Sequence, residues 1–205
     1  MKKQLIQYIV EAAEGRGLTI FDIDETLFRT KAKIQIKRDG KVVGSLNNVE
    51  YNNYILKPGE EFDYGQFKSA KVFAKTSTPI AKMINKAKVI IKNAVKAGSK
   101  VIVVTARGDM DDKKLFVDTF KAQGLDMKNV YIERAGNIGL DNAAKNKEVV
   151  FKKYLDTGDY KRIRLFDDAV DNLYALLSLR DEYPDVEFEA YRVKRDGSIK
   201  SIRRR

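Results

Sequence analysis

Thr19-Ile20-Phe21-Asp22-Ile23-Asp24-Glu25-Thr26-Leu27 decides how the rest of the chain is read. It continues a short apolar run, Leu18 to Phe21, straight into two aspartates one residue apart. Alternate residues of an extended segment point the same way, so the spacing sets Asp22 and Asp24 side by side at the C-terminal end of a strand. In an open α/β sheet that edge is where ligands bind. Two carboxylates so close repel, and one takes up a proton unless a cation or a proton-transfer task accounts for both. The expectation is Asp22 as a nucleophile, Asp24 as an acid/base, and a Mg²⁺ holding them together.

Working outward, residues 1–17 read as an amphipathic helix stopped by Gly15 and Gly17, and strand one as 18–22. Gln4 and Gln7 interrupt the basic start and no small-residue cleavage site follows, so no signal peptide is expected. Past Leu27, Lys33 to Lys37 alternates, Asp39-Gly40 turns, and Val42-Val43 resumes, which predicts a hairpin flap over about 32–46. Residues 47–78, with Pro58-Gly59 as a turn, are too long for an idle loop and read as a lid. The whole of 28–78 is then a flap or small cap inserted into one domain, 1–205. Pro79 starts a helix with Ile80, Met83, Ile84, Ala87, Ile91, Ala94 and Val95 on one face, ended by Gly98. Val101 to Val104 is an unbroken apolar run, as in a parallel strand covered on both faces. A helix over about 111–123, a strand at Val130-Tyr131-Ile132, a helix over about 141–155, a strand at Ile163 to Phe166, a helix over 169–182 and a strand from Val186 to Val193 follow. This alternation predicts an α/β class with a mainly parallel sheet.

Composition narrows the chemistry. The 205 residues are 43% hydrophobic and 34% charged, as expected of a globular chain. There is no Cys and no His, which excludes disulfides, thiolate metal sites, cysteine nucleophiles, Ser-His-Asp catalysis and imidazole proton transfer. Oxygen-only ligands favour Mg²⁺ over softer metals. No apolar run approaches the ~20 residues of a membrane span, so a cytoplasmic protein with no membrane association and no obligate protein partner is expected. The net charge of +11, from 40 Lys+Arg against 29 Asp+Glu, suits either a nucleic-acid or nucleotide-like partner or a Lys-rich solubilising surface.

Three later segments end strands or flank them with polar residues. Thr105-Ala106-Arg107 offers a hydroxyl, backbone N–H groups and a guanidinium to a phosphate oxygen, or else a turn in which Thr105 caps the next helix. Lys145 and Lys147 precede strand four, and either is able to neutralise a carboxylate and a transferring phosphoryl group. Asp167-Asp168 follows that strand directly, as metal ligands or as helix caps.

In this order the segments resemble the haloacid dehalogenase (HAD) superfamily of phosphotransferases over roughly 18–30 and 79–193. The family's first motif matches Asp22-Ile23-Asp24-Glu25-Thr26. The resemblance implies a Rossmann-like three-layer sandwich with five strands in the order 5-4-1-2-3. It also implies that Asp22 forms an aspartyl-phosphate and that Asp24 protonates the leaving oxygen and then activates water. Thr105 matches the second motif, with Thr26, Ala106 and Arg107 as further phosphate or substrate contacts. Lys147 is preferred to Lys145 for the third, because Lys147-Glu148-Val149-Val150-Phe151 looks like the corresponding helix of polynucleotide kinase phosphatase domains. Asp167-Asp168 matches the fourth. The Mg²⁺ ligands implied are the Asp22 carboxylate, the Asp24 carbonyl and Asp168, with Asp167 assisting and Asn172 behind them.

The substrate expected is phosphorylated, a nucleotide or a nucleic-acid 3′-phosphate end, and the resemblance is closest to 3′-phosphatases and nucleotidases. In the insertion, Tyr51, Tyr54, Phe62, Tyr64 and Phe67 alternate with Lys57 and Lys68, for stacking bases or for a lid's own small core. The tail from Lys194 is basic: either Asp196-Gly197 turns a terminal hairpin, or the tail is a solvated end. The alternatives are a small-metabolite phosphatase and a nucleic-acid-binding module on a degenerate scaffold of this family.

Overall fold

A computed structural model describes residues 16–47, 50–51, 53–96, 98–140 and 142–203. The expected helix over 1–17 lies almost wholly outside these residues, as do Arg204 and Arg205 and the side chain of Val95.

The strands are β1 (Gly17–Phe21), β2 (Phe28–Arg29), β3 (Ile34–Arg38), β4 (Lys41–Leu46), β5 (Glu60–Asp63), β6 (Thr78–Pro79), β7 (Lys100–Thr105), β8 (Tyr131–Arg134), β9 (Arg162–Asp167), β10 (Glu187–Val193) and β11 (Ile199–Ile202). The helices are α1 (Gly65–Lys68), α2 (Ala70–Thr76), α3 (Ala81–Lys96), α4 (Lys113–Ala122), α5 (Ala143–Leu155) and α6 (Val170–Ser178).

The central sheet runs β11-β10-β9-β1-β7-β8. All neighbours are parallel except β11, which returns antiparallel on β10. Its five parallel strands follow the order 5-4-1-2-3, and the sixth, antiparallel strand is a difference from the five expected. Gly197, at φ +76, turns the chain back after Val193, and Val193 and Ile199 then pair.

Alternation along the strands builds the layers. Leu18, Ile20, Ile102, Val104, Ile163 and Leu165 face α5 and α6. Phe21, Val101, Val103 and Phe166 face α3 and α4. β7 is covered on both faces, which is why Val101 to Val104 reads as apolar without a break. Three helices are capped by their own sequence: Ser69 accepts from Val72 N, Asp112 from Leu115 N, and Asn142 from Ala144 N and Lys145 N.

The insertion leaves and re-enters the core through one neck. β2 pairs antiparallel with β6, Phe28 opposite Pro79, and Ile80 N donates to Leu27 O at 2.9 Å. Pro79 therefore lies in that two-residue strand, and α3 begins two residues later than expected. Within the insertion β4-β3-β5 form a small antiparallel sheet. Its first turn has Asp39 at φ 52 and Gly40 at φ 73, the two positive values that a type I′ hairpin requires. The base of the insertion is packed into the core. Phe28 and Phe73 meet Phe116 and Phe120 of α4 with ring centroids 5.0 to 5.8 Å apart, in the edge-on and offset arrangements that aromatic pairs favour.

Candidate functional site

β1, β7 and β9 all end on one edge of the sheet, and each releases a polar residue there. The parallel pairing continues one step past β1, where Asp22 N donates to Phe166 O at 3.0 Å. This holds Asp22 in place at 5% exposure. Asp167 is the last residue of β9 and is fully buried.

Lys147 joins them. It is 1% exposed, and its Nζ donates to Asp22 Oδ1 and to Asp167 Oδ2, both at 2.7 Å. Lys145, two positions earlier on α5, is exposed, so only Lys147 enters the cluster. Burial alone pulls the Lys147 ammonium down, but the charges of Asp167 and Asp22 outweigh it and hold it above the ordinary lysine value. Asn172 Nδ2 donates to both oxygens of Asp167, at 2.9 and 3.0 Å, and Ala169 N donates to Oδ1. Asp167 is thus turned toward Lys147 by α6.

Asp22, Asp167 and Asp168 each offer a carboxylate oxygen, and the three lie within 4.8 Å of one another. Three acids share one ammonium, so two negative charges stay uncompensated when all are ionised. Burial, then the neighbouring carboxylates, push Asp22 well above the carboxylate range although Lys147 pulls it down. Burial and Asp167 push Asp168 up to about 7. An all-oxygen set with excess negative charge can hold a metal ion.

Asp24 takes a different direction from Asp22. Its carboxyl, expected to be free, is held: both oxygens accept from Arg107, Nε to Oδ2 at 2.9 Å and Nη2 to Oδ1 at 2.7 Å. Arg107, expected at a phosphate oxygen, is committed to protein partners. Besides Asp24, it donates to Phe67 O and Thr30 Oγ1, lies between the Phe67 and Phe73 rings, and is 2% exposed. The reason is tertiary: α1 and α2 place rings and a carbonyl around the guanidinium. Thr26, also expected at phosphate, is fully buried, with its hydroxyl donating to Asp168 at 3.5 Å. Thr105 is fully buried too, and its hydroxyl accepts from Arg107 N at 3.1 Å. Ala106 is exposed and lines the adjoining cavity. The 106–108 loop is packed so closely that a Cβ on Gly136 would stand 2.2 Å from Ala106 O, so a larger residue at 136 would displace it.

That cavity, of about 610 Å³, is walled by Asp24, Arg107, Tyr51, Tyr64, Phe67 and Asn146, among others. The insertion's rings form a small core of their own, the second of the two readings that the sequence left open. Tyr51, Tyr54, Phe62 and Tyr64 pack on one another, and two of them also face the cavity. Asn146 escapes a reading of the sequence: its side chain bridges Leu140 N and Leu140 O and shapes the cavity wall. Nothing in Lys145-Asn146-Lys147 marks it, because its partner is a backbone. Thr30 and Phe73, around Arg107, escape for the same kind of reason.

No helix among the described residues is long and apolar enough to cross a membrane. No protein-family model matches the chain, and no curated protein matches it.

Proposed function

We propose that this protein is a Mg²⁺-dependent phosphomonoesterase of the HAD type, working through an aspartyl-phosphate on Asp22. The observation that carries the reading is the Lys147 ammonium bonded to Asp22 and Asp167 beside Asp168, at the C-terminal edge of a parallel sheet. Asp22, Asp167 and Asp168 would hold the Mg²⁺, which when bound offsets the charge of the phosphoryl oxygens.

The chain's own residues do the rest. An Asp22 carboxylate oxygen attacks phosphorus, the bond to the leaving oxygen breaks, and Asp24 gives that oxygen its proton. Asp24 then takes a proton from water, whose oxygen attacks the phosphorus of the acyl phosphate and frees Asp22 and inorganic phosphate. Lys147 orients the nucleophile and neutralises charge on the phosphoryl group. Arg107 grips both Asp24 oxygens, and one of these two bonds must open before Asp24 carries its proton. Arg107→Lys keeps the charge but not the two-point grip. Its kcat is expected to fall about 10²-fold with KM changed less, read from initial rates across pH; an unchanged kcat removes Arg107 from the mechanism.

The direct test is phosphate release from 3′-phosphorylated oligonucleotides, free nucleotides and sugar phosphates, with Mg²⁺ or with EDTA. Turnover of at least one class in Mg²⁺ and none in EDTA is expected; no release from any class rejects the proposal. Thermal melts supply an independent check. The Asp168 carboxyl sits at about 7 in the metal-free fold against 3.8 ordinarily. The folded state therefore keeps its proton to higher pH than the unfolded chain does. Stability in EDTA is expected to fall as pH rises between those two values, with the likewise raised Asp22 adding to the fall. Saturating Mg²⁺ at about a hundred times its Kd adds ~2.7 kcal/mol, about 5–10 °C for a chain of this size. The gain should be larger at pH 8 than at pH 5, where protons compete for the same oxygens.

A further inference from the structure

A second concavity, a trough of about 1020 Å³, opens beside Asp168 and shares no lining residue with the aromatic cavity. Six cationic side chains line it: Arg29, Lys31, Arg192, Lys194, Arg195 and Lys200. They face two acids, Glu25 and Asp168. Two distant parts of the chain supply them, the neck of the insertion and the β10–β11 hairpin. The parts are clipped together, because the Arg29 guanidinium donates to the Arg195 carbonyl. The one acid of the turn between β10 and β11, Asp196, does not line the trough; it pairs with Lys82 of α3 at 3.0 Å. Lys31, Arg192, Lys194, Arg195 and Lys200 make no ion pair among the described residues. So many like charges on one concave wall repel one another, and an anion relieves that repulsion.

The size and spread of this charge exceed what one phosphate needs. The trough is at the upper end of small-ligand pockets, roughly 300–1,000 Å³, and six cations from two parts of the chain line it. In the other cavity Tyr51, Tyr64 and Phe67, rings able to stack on a base, stand with Asp24. We infer that the substrate is a single-stranded nucleic acid, with its terminal phosphate at Asp22, its end nucleoside against these rings, and its preceding phosphates along the Arg29–Lys31 and β10–β11 trough. The placement of the strand's end rests on the phosphomonoesterase reading; the trough does not.

The two are tested separately. Binding of a fluorescein-labelled oligothymidylate of about twelve nucleotides, without a terminal phosphate, is measured by anisotropy in EDTA over a range of salt. The trough triple variant, Lys194→Ala with Arg195→Ala and Lys200→Ala, is compared with a control triple, Lys92→Ala with Lys121→Ala and Lys128→Ala, at exposed lysines outside the trough. Both triples lose the same formal charge. The trough triple is expected to bind at least about tenfold more weakly, with a log–log salt slope shallower by about 2; the control triple should stay within about twofold of wild type. Equal losses in both, or no binding by the wild type, overturn the trough. Should the trough triple melt early, Lys200→Glu alone carries the comparison in the same direction. In a second arm, the kcat/KM of a 3′-phosphorylated strand relative to a mononucleoside 3′-phosphate falls about tenfold or more in the trough triple, through KM. Turnover of phosphomonoesters without strand binding refutes the trough alone. Strand binding without any turnover refutes the phosphomonoesterase reading, and the placement of the strand's end with it.

Discussion

Asp22→Asn is expected to lower phosphate release by on the order of 10⁴-fold or more in kcat, on every substrate that the wild type turns over. The amide keeps the shape and still accepts from Lys147, but it has no carboxylate oxygen to attack phosphorus. The same change should leave the metal-free protein folded and more heat-resistant than wild type. It removes one of three acids held within 4.8 Å of one another, and burial already disfavours the charged form of that acid. Activity and stability therefore move in opposite directions. A collapsed fold would lower both, so melting curves and rates from one preparation tell the two apart. Near-wild-type turnover in Asp22→Asn would sink the nucleophile assignment.

Lys147→Met should be the most damaging single change to the metal-free fold. It retains much of the side chain's volume and removes only the ammonium between Asp22 and Asp167. Breaking a buried ion pair from one side costs about 3–5 kcal/mol, because the partner charges stay behind. For a chain of this length that is about 10 °C or more in thermal midpoint. Lys145→Met, on the exposed side of the same helix, should change stability by no more than about 0.5 kcal/mol. Part of the Lys147→Met loss should return when Mg²⁺ replaces the missing positive charge. Equal melting of the two variants would contradict the buried cluster.

Much of the fold is legible in the sequence because its signals are local. The apolar run at Val101 to Val104 and the strand-then-acid patterns at Phe21-Asp22 and Phe166-Asp167 are properties of neighbouring residues. So are the Asp39-Gly40 turn and the capping by Asp112. The edge strand β11 is legible only as a turn at Asp196-Gly197, since Ile199 to Ile202 is too short and too polar to announce a strand without β10 beside it. The start of α3 is misread at Pro79 because its position is set by pairing with Phe28, far earlier in the chain, and not by proline's own preference.

The candidate site divides along the same line. Which residue types gather at the sheet edge follows from the chain itself: acids directly after apolar strands, a Thr at the end of another, a Lys on a neighbouring helix, and no Cys or His to offer other chemistry. Who bonds to whom does not. Lys147 and Asp22 are 125 positions apart and Arg107 and Asp24 are 83 apart, and no periodicity records such distances. Lys145 and Lys147 differ only in which way a helix turns them, and packing against the sheet chose one. Arg107 grips Asp24 because the insertion folds two rings and a carbonyl around its guanidinium. A hydrophobic pattern specifies what is buried; only the folded backbone specifies which charges are buried together, because that depends on contacts between segments that the sequence holds far apart.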